Sequence, residues 1–475
     1  MQLTQRGDLM NTSGTAKAAP DERVLRCAAL LTAVLLWLPR TATAQTPEPA
    51  PQRLTLDDAV RRGLETSHRI AEAVARGDAA GAVVGERRAA TRPQIAGQAG
   101  YARTNHVDTF GILLPNNQLR VIYPDVPDNY RTRLDLQWPV YTGGRLDALE
   151  RAARIDATAS ADEIATARAD LTLEITRAFW SLVTTTESRR VVQEAVSRIA
   201  AHLKDVRNQL AAGLVPPSDV FTVEALESRQ RMLAVQARVA RDVAEAELAR
   251  LVGAAPGTAL DPAGALDAFG TPEGAPYVAP AAREPLASLL DIARQQRPER
   301  AALVKRLDAA TERSRAAAAG TKPIVAVGGG IDYARPNPRI FPREEAWRTS
   351  WDASVNVNWA LFDGGRTRSE MAEAAASVRA VHERLADVDA SLAVEIRQRL
   401  SELEASRAAI DAASDGVRSA AEARRVLGER FAAGVATSTD VLDAHVALLQ
   451  AELDRTQALA NAHIADARLA RALGR

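Results

Sequence analysis

The chain has 475 residues, with 60 basic and 60 acidic side chains, no formal net charge and only 4% aromatic residues. Neutral balance removes any electrostatic case for nucleic acid or an anionic membrane surface as a partner. Length alone allows two to four domains, while few aromatics and abundant alanine suit thin, close-packed helices better than a wide globular core.

Residues 1–44 read as an export signal. Arg23 and Arg26 form a basic flank, Cys27 to Leu38 an apolar core, and Ala42-Thr43-Ala44 a small-residue cleavage site. The stretch before Asp21 is longer than such a signal needs, which points to a translation start at Met10 or beyond. The apolar core falls short of the roughly 20 residues of a membrane-spanning helix. Cys27, the only cysteine, leaves with the signal, so the mature chain is expected to lack disulfides and thiol ligands.

Residues 45–53, with three prolines, read as a flexible arm. Helical spacing over 54–91 places Ala59, Val60, Leu64 and Ile70 on one side, and Pro93 ends the helix. A strand is predicted over 94–104, then a long loop over 105–130. The next strand sends Thr132, Leu134, Leu136, Trp138 and Val140 to one face and Arg131, Arg133, Asp135 and Gln137 to the other. It runs through Thr142-Gly143-Gly144-Arg145 into a helix in which no glycine or proline appears before Gly213. Such a helix is roughly 100 Å long. Leu171, Ile175, Ala178 and Leu182 give it a coiled-coil seam. It turns at Gly213-Leu214-Val215-Pro216-Pro217, a hairpin tip, and a return helix runs to Gly253.

A linker rich in glycine and proline covers 254–285, and then the order repeats. A helix runs from Leu286 to about Ala319 and a strand over 324–333 places Val325, Val327, Ile331 and Tyr333 on one face. The second junction strand ends in Asp363-Gly364-Gly365-Arg366, 221 positions after the first (364 − 143). Its apolar face holds Trp351, Ala353, Val355, Val357 and Trp359, and its polar face Asp352, Ser354 and Asn356. The second seam is Leu392, Ile396, Arg399 and Leu403, the second tip Gly434-Val435, and the last helix ends at Gly474. From the junction to the end the offset holds at every landmark, and with the repeated order before it residues 54–253 and 286–475 are two copies of one unit.

Four strands of about ten residues each, with tryptophans near their ends and charges on the opposite face, suit a membrane wall with a wet interior. Four strands cannot close a barrel, and an open edge in lipid leaves backbone groups unpaired. Two chains would make eight strands with a filled interior; three make twelve and leave a channel. The expected fold is therefore a mixed α+β membrane protein: a long α-helical coiled-coil barrel continuous with a transmembrane β-barrel of four strands per chain and twelve per trimer.

The doubled order of elements, the Gly-Gly-Arg junctions and the string Asp440-Val441-Leu442-Asp443-Ala444 after Gly434-Val435 resemble the TolC family of outer-membrane efflux and secretion channels, across nearly all of the mature chain. The resemblance implies a homotrimer embedded in outer-membrane lipid. Its helical tunnel would cross the periplasm to a periplasmic adaptor protein and an inner-membrane pump, exporting small molecules such as drugs. A protein-secretion duct on the same fold is the near alternative; a coiled-coil scaffold without a pore is remote, because it has no use for the strands.

By that resemblance Gly213, Leu214, Gly434 and Val435 are adaptor-contact tips, against the plain alternative of helix termination. Asp440 and Asp443 share a helix face. They would otherwise be first-turn dipole charges, but under threefold symmetry six carboxylates converge at a periplasmic gate. Asp219, the counterpart of Asp440, is expected to be a cap alone. Where many relatives have a tyrosine and an arginine that lock the entrance, this chain has Phe431 and Ala436, so the closed state is expected to rest on Phe431 packing across the axis. Arg133, Asp135, Gln137, Asp352 and Asn356 are expected to face the lumen. The six histidines show no metal-ligand spacing, and no catalytic motif appears, so no cofactor, metal or enzymatic activity is expected.

Overall fold

The computed structural model describes residues 52–255, 257–264, 266–268 and 285–475; the export signal, most of the arm and much of the linker fall outside them. The two copies of the repeat are each built on one long helix, α3 (Arg145–Ala211) and α7 (Arg366–Ala432), of 67 residues apiece. Each is entered through two successive left-handed glycines: φ is 65° and 88° at Gly143 and Gly144, 68° and 90° at Gly364 and Gly365. A side chain is strained in that region. At Gly143 a Cβ would also sit 2.7 Å from the Cβ of Lys322. The turn is the hinge at which strand becomes helix.

Ahead of α3 stand β1 (Gln52–Leu54), α1 (Leu56–Thr66), α2 (His68–Ala89), β2 (Gln94–Arg103), β3 (Phe110–Leu113), β4 (Leu119–Tyr123) and β5 (Asp128–Tyr141). After it come α4 (Pro217–Leu251), β6 (Leu260–Pro262), α5 (Leu286–Gln296), α6 (Pro298–Ala318), β7 (Ile324–Arg335) and β8 (Arg348–Asn358), then α7 and finally α8 (Ser438–Ala472). Strands β2, β5, β7 and β8 form one antiparallel sheet in that order, so the seam between the repeats is the β5–β7 pair. The sheet meets the helices through matching bonds, Trp138 Nε1 donating to the Thr91 carbonyl at 3.2 Å and Trp359 Nε1 to that of Thr321 at 3.1 Å.

Four features depart from the sequence reading. The helix over 54–91 is broken at Ser67, whose side chain accepts from the Ile70 amide and caps α2. The second repeat breaks at the same place, at Arg297, where the following proline excludes helical geometry. Residues 105–130 are not all loop: β3 and β4 pair as a hairpin turning at Asn117, which takes φ 60°. The arm and the linker meet, since β1 pairs in parallel with β6 and buries Leu54 and Leu260 completely.

The main core lies about midway along α3. There Leu171, Ile175, Phe179 and Leu182 pack with Leu248 of α4 and with Leu54 and Leu260. A smaller core holds Ile396 and Leu403 of α7 against Leu289 and Leu469. Both predicted seams are buried except at Arg399, whose guanidinium instead bonds Glu402 at 2.8 Å.

Candidate functional site

The sheet has two chemically opposite faces. On one, Ile95, Tyr101, Leu134, Leu136, Trp138, Ile331, Tyr333, Trp351, Val355 and Val357 are all exposed, Trp351 by 75%. So large an uncovered apolar face is foreign to a protein bathed in water on all sides. Aromatic residues bound it at both ends. Tyr101, Tyr130, Tyr333 and Trp347 cluster at the loop end, with ring centroids 4.9 to 5.8 Å apart, and Trp138 and Trp359 stand at the helix end. Tyr130 to Trp138 spans nine residues, within the roughly 9–11 that a tilted transmembrane strand uses. No described helix is long and apolar enough to cross a membrane.

The other face is a charged network. Arg133 Nε donates to Asp135 at 2.6 Å, one terminal nitrogen reaches Asp332 and lies 3.0 Å from Asp352, and the other donates to Asp352 at 3.3 Å. Arg131 binds Asp332 at 2.6 Å and Arg339 binds Asp352 at 2.8 Å. Gly330 lies beneath the Arg133 guanidinium where any Cβ would collide with it, so this strand must be bare there for the arginine to reach across. Gln137 is paired with Gly328, and Asn356, next to Ala326, donates to Ser354 at 3.2 Å. Arg133, Asp135, Gln137, Asp352 and Asn356 thus share one polar face. Asp332, Arg339 and Gly330 were not singled out from sequence. The small residues at 326, 328, 330 and 334, of which Gly330 and Ala334 lie opposite charged ones, were the available signal.

At the far end both hairpins close by the same turn. The Leu214 amide bonds the Gln209 carbonyl and the Val435 amide that of Arg430, each at 2.9 Å, around Gly213 (φ 74°) and Gly434 (φ 73°). This six-to-one bond is the Schellman cap. It leaves Leu214 and Val435 exposed by 74% and 63%.

Asp440 and Asp443 both lie exposed on the first turns of α8. Asp440 completes a capping box: the Thr437 hydroxyl and amide donate to it at 2.7 and 2.9 Å, and its own amide donates to that hydroxyl. Those bonds hold the Asp440 carboxyl below the usual range within one protomer. Two expectations need correction here. Asp219 is not a side-chain cap, because Pro216 occupies the N-cap and no side-chain bond forms. Phe431 does not point outward to an axis. It is buried inside the protomer among Ile199, Leu203, Val206, Val220, Val441 and Leu442. Its place on α7 aims it at α3 and α8, so it seals the two hairpins to each other.

An apolar, aromatic-bounded sheet with a charged reverse face, continued by helices of about 100 Å, defines a membrane channel subunit. The outer membrane efflux protein family profile matches residues 59–254 and 289–475. Similar solved structures include a membrane protein from Pseudomonas aeruginosa, 21% identical over 88% of this chain and 92% of its own, with a TM-score of 0.74. The outer membrane protein VceC of Vibrio cholerae is 20% identical over 88% and 96%, with a TM-score of 0.72. The Campylobacter jejuni CmeC outer membrane channel is 16% identical over 88% and 85%, also at 0.72. No curated protein matches the chain. The chain belongs to the outer membrane efflux protein family and is an outer-membrane channel protein reaching into the periplasm.

Proposed function

We propose that three copies of this chain form the exit duct of a tripartite efflux pump that carries small molecules such as drugs across the periplasm and the outer membrane. The carrying observation is the sheet: four strands with an apolar face and two unpaired edges, β2 and β8. Lipid tolerates no open edge, and twelve strands leave a channel where eight fill. The charged network around Arg133 then lines the lumen, already neutralised arginine against aspartate. Lateral contacts between copies fall to α4, where Phe221, Met232, Val235, Val239 and Val243 are exposed, and to the sparsely covered α7.

Gly213, Leu214, Gly434 and Val435 are the contacts for a periplasmic adaptor, which in turn joins an inner-membrane pump; the exposed Leu214 and Val435 on matched turns support this. Asp440 and Asp443, three of each, ring the entrance and favour cations there. The capping box leaves Asp443 out of its bonding, so Asp443 is the more exposed electrostatic member of the pair. The test is fractionation and conductance. A heat-modifiable trimer in the outer membrane that conducts in planar bilayers is expected; a monomer released by osmotic shock would sink the reading.

A further inference from the structure

Near the tips the two helical hairpins meet at an imidazole pair, one ring buried and the other half-buried. His202 of α3 is 7% exposed, its ring 5.9 Å from that of His445 on α8 and 5.3 Å, edge to face, from Phe431 of α7. Its Nε2 lies 3.4 Å from the Ser438 hydroxyl, itself 4% exposed on the first residue of α8. His445 Nδ1 is buried with no hydrogen-bond partner among the described residues. Two rings from two repeats thus meet in an apolar cluster with Ile199, Val441 and Leu442.

We propose that His202 and His445 form an acid-sensitive clasp, whose protonation parts the two hairpins and opens the periplasmic entrance. The proposal rests on the duct reading above for the meaning of "entrance", but the clasp itself is a property of the protomer.

The charges around the pair decide the direction. From α3 come Arg198, bound to Glu452 of α8 at 2.7 Å, and Asp205; from α7 comes Arg424, with its Nε buried and unpartnered. Helix α4 presents the apolar Val220 and Val223 to the same cluster, and its Glu224 is taken up by Arg207 at 2.7 Å. Only Asp205 favours a proton, and it acts on His202; burial opposes it there. At His445, burial first, then His202, Arg424 and Arg198, push the imidazole down to about 4. The same arginines disfavour a bound metal cation.

A parted pair, exposed to water, takes up a proton at its ordinary value near 6.5. The packed arrangement is therefore at full strength above that value and loses ground as the pH falls toward 4. Between pH 7.5 and 5 the linkage at His445 alone favours parting by roughly 20- to 30-fold. Because Ser438, Val441 and Leu442 open α8, parting there displaces the turns that carry Asp440 and Asp443.

The test uses the full-length assembled protein in two measurements at pH 7.5 and 5.0. One is hydrogen exchange over 199–206 and 438–446, corrected for intrinsic rates; the other is bilayer current with the tip side acidified. Wild type should show faster exchange and rising current on acidification. His445→Gln should keep its neutral-pH behaviour and lose the acid response in both. Arg424→Gln, which leaves both histidines in place, relieves His445 in the packed arrangement and should weaken the acid response. Exchange that ignores pH in wild type, or an acid response undiminished in both His445→Gln and Arg424→Gln, overturns the clasp. Acid-accelerated exchange without current at any pH would instead leave the clasp standing and defeat the duct.

Discussion

Helices α3 and α7 have equal length and equal place in their repeats, yet twenty residues of α3 are buried against four in α7. The cause is what surrounds them. α3 is flanked by α2, α4, α6 and α8 and carries the main core, whereas α7 packs along α8 and α6 and turns the rest of its surface outward. Position 178 is a buried alanine in the first copy, and its equivalent is the partly exposed Arg399 in the second. The unit was duplicated without gain or loss of a residue between junction and terminus, but one copy folds as the interior of the protomer and the other as its flank. Like the apolar face of the sheet, the flank is a surface that the chain does not cover by itself.

The largest effect should come from breaking the interior. Phe179→Ala removes a side chain 1% exposed and should cost about 3–5 kcal/mol. Its counterpart Leu400→Ala, only partly buried, should lower the thermal midpoint of the solubilised protein less than half as far. Equal losses would mean that α7 is as enclosed as α3.

Next comes the sheet. Leu136→Arg places a charge on the apolar face at about 2–4 kcal/mol near the membrane midplane, while Gln137→Arg on the polar face should still assemble. Equal loss of heat-modifiable trimer from both would reverse the assignment of the faces.

The hairpin tips differ more modestly. Thr437→Ala removes the N-cap of α8 and should cost ~1 kcal/mol, read as faster amide exchange over its first turn. Ser218→Ala at the other tip should change almost nothing, since no side-chain cap exists there. With the Asp440 carboxyl held low by Thr437, the box is at full strength above the ordinary carboxylate value and weakens as pH falls below it.

Two predictions concern surfaces rather than stability. With Cys27, the one native cysteine, replaced by alanine, Val239→Cys and Val394→Cys, at sites 51% and 69% exposed in the protomer, should resist maleimide in the assembled trimer. They should react after heat dissociation, while Leu214→Cys reacts in both. Replacing Asp440 and Asp443 with alanine should leave assembly intact and remove block of the current by a multivalent cation added at the tip side. Persistent block would leave these residues as helix-terminal charges only.

The repeat, the junctions, the tips and the two strand faces were legible in the sequence because each follows from a local period or a glycine that the backbone requires. What escaped detection depends on contacts between distant segments. The three-residue strands β1 and β6 are too short for a period and exist only through each other. The β3–β4 hairpin interrupts alternation with Gly111 and a bulge. Ser67 breaks a helix without a proline to announce it. Asp332 gains its role from Arg131 and Arg133, some two hundred residues away. Phe431 was turned the wrong way because an aromatic near a tip fits an axial plug and an interhelical seal equally well until its neighbours are known.

The pairing of β1 with β6 also sets a timetable. Export delivers the chain amino end first, so Gln52–Leu54 emerges long before its partner Leu260–Pro262. Until then Leu54 has no Leu260 to lie against, and the cavity that takes both is not complete before α3 and α4 have folded back on themselves. Gln52–Leu54 thus enters well before its partner and is among the last segments to seat. Contacts of such long sequence separation form slowly and leave apolar residues uncovered meanwhile. A periplasmic holding chaperone would find its target at this end of the nascent subunit, and a deletion within β6 would strand the amino terminus rather than the linker.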